Sequence, residues 1–260
     1  DMGILHGDEP MLQLRNQGMV LGEDSEKMSK SRGNVVPPDE LVKSFGADAL
    51  RAYLMFFARW DLGGPWSSGG IEGVNRWLRR VWNVFLEPAA GRPVGEDVTR
   101  SLRRKVHQTL RSVTHDFEQV EFNTIVSGLM ELLNEMSKAK QQGIWGQPAW
   151  TEAVDIYLRM LAPVSPHISE EMWQRLGKPY SIHTQTWPEV DADAAREDEI
   201  TLIVQINGRL RDRITLPASV TEAEARNAAL ASDAVRKHLD ERQPIQVIYV
   251  PGRLINIVVK

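Results

Sequence analysis

Lys27 and Lys30 stand three residues apart among Met28, Ser29, Ser31, Arg32, Gly33 and Asn34, in a stretch without apolar periodicity. A loop of this composition can bring two ammonium groups to a polyphosphate without steric obstruction. Hydroxyls of Ser29 and Ser31 and backbone amides near Gly33 add donors. When a phosphoanhydride breaks, charge builds on the departing oxygens, and placed cations and donors are what a protein can contribute there. Lysine suits a mobile loop because it is a compact charge on a flexible stem. Gly22 and Gly33 are candidate hinges for closure.

Arginine supplies the second candidate chemistry. Arg76, Arg79 and Arg80 fall on one helical face, away from Ile71, Val74, Leu78, Val81 and Phe85. Arg100, Arg104, His107 and Arg111 form a basic stripe beside the apolar Leu102, Val106, Leu110 and Val113. Near the end, Arg209, Arg211 and Arg213 alternate along a β-rich run, followed by Arg236, Lys237 and Arg253. Such stripes can meet nucleic-acid phosphates; they can equally be solvated faces balanced by carboxylates one turn away.

Other tempting residues read as structural. His167, after Pro166, fits a first-turn hydrogen-bonding histidine. Glu170 and Glu171 diverge by about 100° on a helix, which makes a poor acid–base pair. Trp77, Trp82, Trp145, Trp150 and Trp173 sit where core anchors belong. With no cysteine and six histidines lacking ligand spacing, no metal site is expected, and no zinc site in particular.

The elements that must position these groups follow from periodicity. Pro37-Pro38-Asp39-Glu40 opens a short helix closed by Gly46, and residues 47–57 give a second. Residues 61–70, with four glycines and a proline, form a loop and a boundary. Five amphipathic helices joined by short loops then read as a bundle. The fifth starts at Ser165-Pro166. Residues 189–199 carry six carboxylates against one arginine and read as an acidic linker. Beyond them the period changes. Residues 201–216 alternate around Asn207-Gly208, a hairpin signal. Residues 221–239 read as one helix with Thr221 and Glu224 as a capping box. Residues 245–250 and 254–259 form a second hairpin, giving a small ββαββ module. The fold class is mainly α, with a small C-terminal α+β domain.

A net charge of −4 and 42% hydrophobic residues describe an ordinary globular chain. No run approaches the roughly 18–20 apolar residues that cross a bilayer, and no membrane role is expected. No secretory signal is read at the start. A chain that begins at Asp1 and not at methionine is expected to be a piece of a longer protein.

Lys27-Met28-Ser29-Lys30-Ser31 resembles the signature loop of class I aminoacyl-tRNA synthetases. Asp8-Glu9-Pro10, residues 17–21, and Gly46-Ala47-Asp48-Ala49-Leu50-Arg51 extend the likeness. So do Phe122-Asn123-Thr124, residues 129–132, the Pro163/Pro166-His167/Glu170-Glu171/Trp173 pattern and Trp187-Pro188. The tail motifs at 204–211 and 250–260 are similar to the leucine branch of bacterial type.

The resemblance implies residues 1–68 as the end of a Rossmann-type catalytic domain and 69–188 as an α-helical anticodon-binding-type bundle. It also implies 200–260 as a tRNA-binding module. It makes Lys27 and Lys30 catalytic, and Lys27, Met28, Ser29, Lys30, Ser31 and Gly33 ATP-binding. It assigns tRNA contacts to Arg76, Arg79, Arg80, Arg100, Arg104, Arg111, Arg209, Arg211, Arg236, Lys237 and Arg253. ATP with Mg2+, leucine and tRNA(Leu) are the implied ligands of a cytoplasmic, monomeric enzyme. The family's His-x-Gly-His motif and editing domain are absent, so this chain alone is expected to be inactive. Another aliphatic synthetase of the isoleucine, valine or methionine type, or a non-catalytic tRNA-binding adaptor, stays open.

Overall fold

The computed structural model describes residues 11, 13–197, 199–239 and 243–260. Residues 8–10, which carry part of the resemblance, and Asp198 of the acidic stretch lie outside them. Two compact units result, Asp1–Ala195 and Arg196–Lys260.

In the first unit, strand β1 (Met19–Leu21) pairs in parallel with β2 (Gly63–Pro65). Between them run α1 (Pro38–Phe45) and α2 (Ala47–Phe56), divided at Gly46, which takes φ 87°. The bundle follows as α3 (Ser68–Leu86), α4 (Glu96–Gln119), α5 (Phe122–Gln142), α6 (Pro148–Leu161) and α7 (Pro166–Arg175). Its core is the set of stripes read from periodicity. Ile71, Val81, Phe85, Leu110, Ile125, Leu129, Leu133 and Leu158 are buried together. Phe85 meets Tyr157 edge to face at 4.9 Å, and the Tyr157 hydroxyl donates to Leu129 O at 3.1 Å. Trp77, Trp150 and Trp173 are buried anchors. Trp82 and Trp145 are only half-buried, under Arg175 at 4.8 Å and Lys140 at 4.4 Å respectively. Each of those two rings keeps one face for a cation.

The acidic stretch is not wholly a linker. Asp191 accepts from Arg103 at 3.0 Å, and Gln108 donates to Ala195 O at 3.1 Å, so residues up to 195 pack on α4.

The second unit is a four-stranded sheet in the order β4-β3-β6-β5, with β3 (Glu199–Ile206), β4 (Arg209–Pro217), β5 (Gln246–Val250) and β6 (Leu254–Val258). β3 and β6 are parallel; both hairpins are antiparallel. Asn207 and Gly208 turn the first hairpin at φ 48° and 78°. The Asn207 amide exchanges two 3.0 Å hydrogen bonds with the Val259 backbone. Leu202, Val204, Ile206, Ala225, Ala229, Val235, Ile255 and Ile257 form its core.

One expectation changes here. Residues 221–239 make two helices, α8 (Glu222–Ala231) and α9 (Asp233–Leu239), so the module is ββααββ. Ser232 divides them: its hydroxyl hydrogen-bonds Asp212 and accepts from Val235 N at 3.4 Å, starting a new helix. The Thr221–Glu224 capping box is present.

Candidate functional site

The lysine loop leaves β1 and closes on itself before α1. Gly22 N donates to Glu26 O at 2.8 Å, Ser25 N to Gly22 O at 3.0 Å, and Leu21 bridges Lys27. Lys30–Arg32 form one 3-10 turn, ended by Gly33 at φ 69°. Such a left-handed position favours glycine. Asn34 joins the two sides. Its Oδ1 accepts from Ser29 N at 2.8 Å, and its Nδ2 donates to Asp24 Oδ2 and Oδ1 at 3.0 and 3.1 Å and reaches Lys27 O at 3.4 Å. Arg32 pairs with Glu26 at 3.1 Å in the open.

Met28 is half-buried and packs, with Val20 and Val36, against the core. The loop is thereby anchored by its one apolar side chain. Lys27 and Lys30 are exposed, and among the described residues neither ammonium has a carboxylate within ion-pair distance. The Ser29 and Ser31 hydroxyls, which flank Lys30 in sequence, lie 2.8 Å apart. Two uncompensated cations and two hydroxyls on one exposed turn suit an anionic ligand.

Gly22 also has a steric role. A Cβ there would lie 2.6 Å from Asp24 Oδ1 and 2.9 Å from Asn34 Nδ2, so glycine is what lets those side chains cross. Asn34 and Asp24 were not among the expected site residues. Their signal in sequence is slight, an amide and a carboxylate ten positions apart. Glu23 is a third such residue: its Oε1 accepts from Ser68 N at 3.0 Å, capping α3, whose own N-cap Ser67 makes no side-chain bond. Hydrogen bonds from the Ser68 hydroxyl and amide hold the Glu23 carboxyl below its usual range.

The bundle arginines divide by circumstance. Arg76 and Arg111 are exposed, Arg76 lying 3.9 Å from Glu72. Arg79 lines an open cavity of about 650 Å³ with Asn75, Trp82, Asn83 and His167. Arg80 donates to Ser137 Oγ at 3.2 Å, and Arg100 lies 3.9 Å from Glu96. Arg104 is half-buried and engaged.

His107 does not belong to the exposed stripe. It is buried, with Nδ1 accepting from Asp191 N at 3.2 Å and Nε2 3.2 Å from Glu152 Oε1. Glu152 in turn takes both arms of Arg103, at 2.7 and 3.1 Å. Arg103 holds the Glu152 carboxyl below its usual range against the opposing effect of burial, with His107 assisting.

His167 is exposed, its Nδ1 2.8 Å from Asp48 Oδ1, while Asp48 also accepts from Ile168 N at 2.6 Å and caps α7. Glu170 accepts from Ile182 N at 2.9 Å and from the Ser181 hydroxyl, securing the turn after α7.

In the second unit, Arg209, Arg213, Arg236, Lys237 and Arg253 are exposed and Arg211 is half-buried. The arginines of β4 do not share one face. A bulge at Val204/Gln205 shifts the register, pairing Arg209 with Ile206 and Arg213 with Ile203. Those partners are an odd number of residues apart, so Arg209 and Arg213 point to opposite faces. Alternation along the sequence alone could not reveal the extra residue.

Among the described residues no group of three His, Cys, Asp or Glu side chains comes together to hold a metal, and no helix is long and apolar enough to cross a membrane.

The chain is similar to known proteins. Residues 3–60 match the family model of class I tRNA synthetases (I, L, M and V), and residues 99–226 match the anticodon-binding domain of tRNA ligase. The chain is 52% identical over 260 residues to the leucine–tRNA ligase of Deinococcus radiodurans and 48% identical to that of Dehalococcoides mccartyi. Both matches cover all of this chain and 32% of the relative. It therefore spans about a third of the length of these relatives. The LeuRS of Agrobacterium radiobacter K84, solved in a ternary complex with tRNA and LeuAMS, superposes with a TM-score of 0.84 at 32% identity. That match covers 98% of this chain and 34% of the other. With whole-length identity of this order and a matched fold beneath it, the chain belongs to the leucine–tRNA ligases, within the class I tRNA synthetases.

Proposed function

We propose that this chain is the C-terminal third of an enzyme that activates leucine with ATP and transfers it to tRNA(Leu), releasing AMP and pyrophosphate. The carrying observation is that Lys27, and Lys30 at the start of the 3-10 turn, are exposed and, among the described residues, have no carboxylate within ion-pair distance. In this reading the two ammonium groups meet the β- and γ-phosphates, and the charge they stabilise grows as the bond from α-phosphorus to the leaving oxygen lengthens. Ser29, Ser31 and the Gly33 amide add neutral donors. Mg2+ travels on the ATP phosphates; the loop offers cations and hydroxyls, which complement such a complex and do not chelate its metal.

The parallel pair β1 and β2 is too short to stand alone and fits as the end of a larger Rossmann-type sheet. Residues 69–188 and 200–260 are proposed as tRNA-binding domains, with backbone and shape recognition from the exposed arginines. The whole enzyme acts as a cytoplasmic monomer in this proposal, and the present chain by itself binds tRNA without charging it.

The test is Lys30→Ala in the full-length enzyme. Leucine-dependent ATP–pyrophosphate exchange is expected to fall by about 10²–10³-fold, the loss of one preorganised transition-state group. Unchanged exchange would overturn the assignment.

A further inference from the structure

We propose that Asn34 and Asp24 form a clasp that sets the shape of the lysine loop, making Asn34 a positioning residue for Lys27 and Lys30. Backbone hydrogen bonds fold the base of the loop and its 3-10 turn, and Glu23 ties its root to Ser68 N. Among the described residues Met28 alone of the loop packs on the core, and the ion pair of Glu26 with Arg32 is solvent-exposed at both ends. Exposed pairs of this kind contribute little. Against that background the Asn34 side chain uses both of its functional ends. Oδ1 fixes the Ser29 amide at 2.8 Å, one residue before Lys30, and Nδ2 holds the Asp24 carboxylate at 3.0 and 3.1 Å while reaching Lys27 O at 3.4 Å.

Asp24 also accepts from Glu26 N at 3.1 Å, so its own geometry is set before it meets Asn34. One amide thus touches the backbone at Lys27 and at the residue before Lys30. The absence of a side chain at Gly22 leaves the space in which the two groups cross. A charge-assisted bond from amide to carboxylate is stronger than a neutral one, and it closes a ten-residue loop.

The clasp matters to chemistry because ammonium groups stabilise a leaving group only where it departs, and a misplacement of about 1 Å costs up to about 100-fold. This catalytic consequence rests on the reading of the loop as the pyrophosphate-side element. The structural consequence does not.

The experiment compares full-length wild type, Asn34→Asp, Asp24→Ala and the exchanged pair Asp24→Asn/Asn34→Asp. Asn34→Asp keeps the acceptor for Ser29 N but sets two carboxylates against each other. The exchange of the two residues restores one donor facing one carboxylate. Leucine-dependent exchange is expected to lose about 10- to 100-fold in kcat in both single variants, at unchanged KM for leucine. The exchanged pair should recover to within about threefold of wild type. Limited trypsin cleavage at Lys27, Lys30 and Arg32 should accelerate in the single variants and return to the wild-type rate in the exchanged pair. Wild-type exchange by Asn34→Asp, or no recovery in the exchanged pair, would overturn the clasp. An enzyme without leucine-dependent exchange overturns the reading of the loop instead. The tryptic pattern then decides the clasp by itself: protection in wild type and exchanged pair supports it, and equal cleavage of all four overturns it.

Discussion

His107, Glu152, Arg103 and Asp191 show how a residue that looks catalytic can be structural. An imidazole that accepts from a backbone amide and donates to a carboxylate is spoken for on both nitrogens. The group it belongs to fastens α4 to α6 and to the segment that follows the bundle. Glu152→Gln should therefore leave tRNA binding intact and lower stability by about 1–2 kcal/mol in denaturant unfolding. That is less than a buried pair would give, since both side chains are about a third exposed. The pH dependence has a definite sign. Arg103 depresses the folded-state value of Glu152, so its contribution is complete above the ordinary glutamate range near pH 4.3. It is lost as pH falls through the depressed value. Unfolding midpoints of wild type and Glu152→Gln should converge as pH falls through that depressed value.

Helix α3 receives the root of the lysine loop at its start, and it is capped at both ends by side chains from elsewhere in the chain. Glu23 accepts from its first amide. Lys140 closes the other end, donating to Val84 O at 2.7 Å, Glu87 O at 2.6 Å and Asn83 O at 3.4 Å. Lys140→Met should cost about 1 kcal/mol or more in denaturant unfolding, because three carbonyls lose one shared donor. Repulsion or hydration at the Trp145 ring would show in its fluorescence, since the same ammonium stands over it. Apolar stripes along α3 to α7 are legible because burial imposes the helical period on them. Long-range caps are not. Lys140 reads as one more surface lysine, and Glu23 as one more loop acid, until the fold brings each against a partner 45 to 57 positions away in sequence. The lysine loop is legible in composition but not in shape, because its clasp is two polar side chains with no periodicity to betray them.

At the scale of the whole molecule, the chain combines a helical unit carrying the loop with a small sheet unit, and both carry exposed arginine. Deleting residues 200–260 from the full-length enzyme should weaken tRNA binding and flatten its salt dependence, measured as the slope of log affinity against log salt. The bulge in β4 sharpens this. Arg209 and Arg213 face opposite ways, so only one of Arg209→Ala and Arg213→Ala should lower that slope by about one contact. Equal effects of both would show that the sheet face is not the contact. The hairpin itself was readable from Asn207-Gly208, whereas the bulge depends on pairing across the sheet and left no mark in the run of β4.

The Glu23–Ser68 bond has a further use. Amide hydrogens in the first turn of a helix ordinarily exchange with solvent freely, having no intrahelical acceptor. That of Ser68 is covered by a carboxylate rooted in the lysine loop. Deuterium uptake at this single nitrogen therefore counts how often the root of the loop leaves the helix. The bundle carries a built-in reporter of loop motion, readable by exchange mass spectrometry with no nucleotide, label or engineered probe.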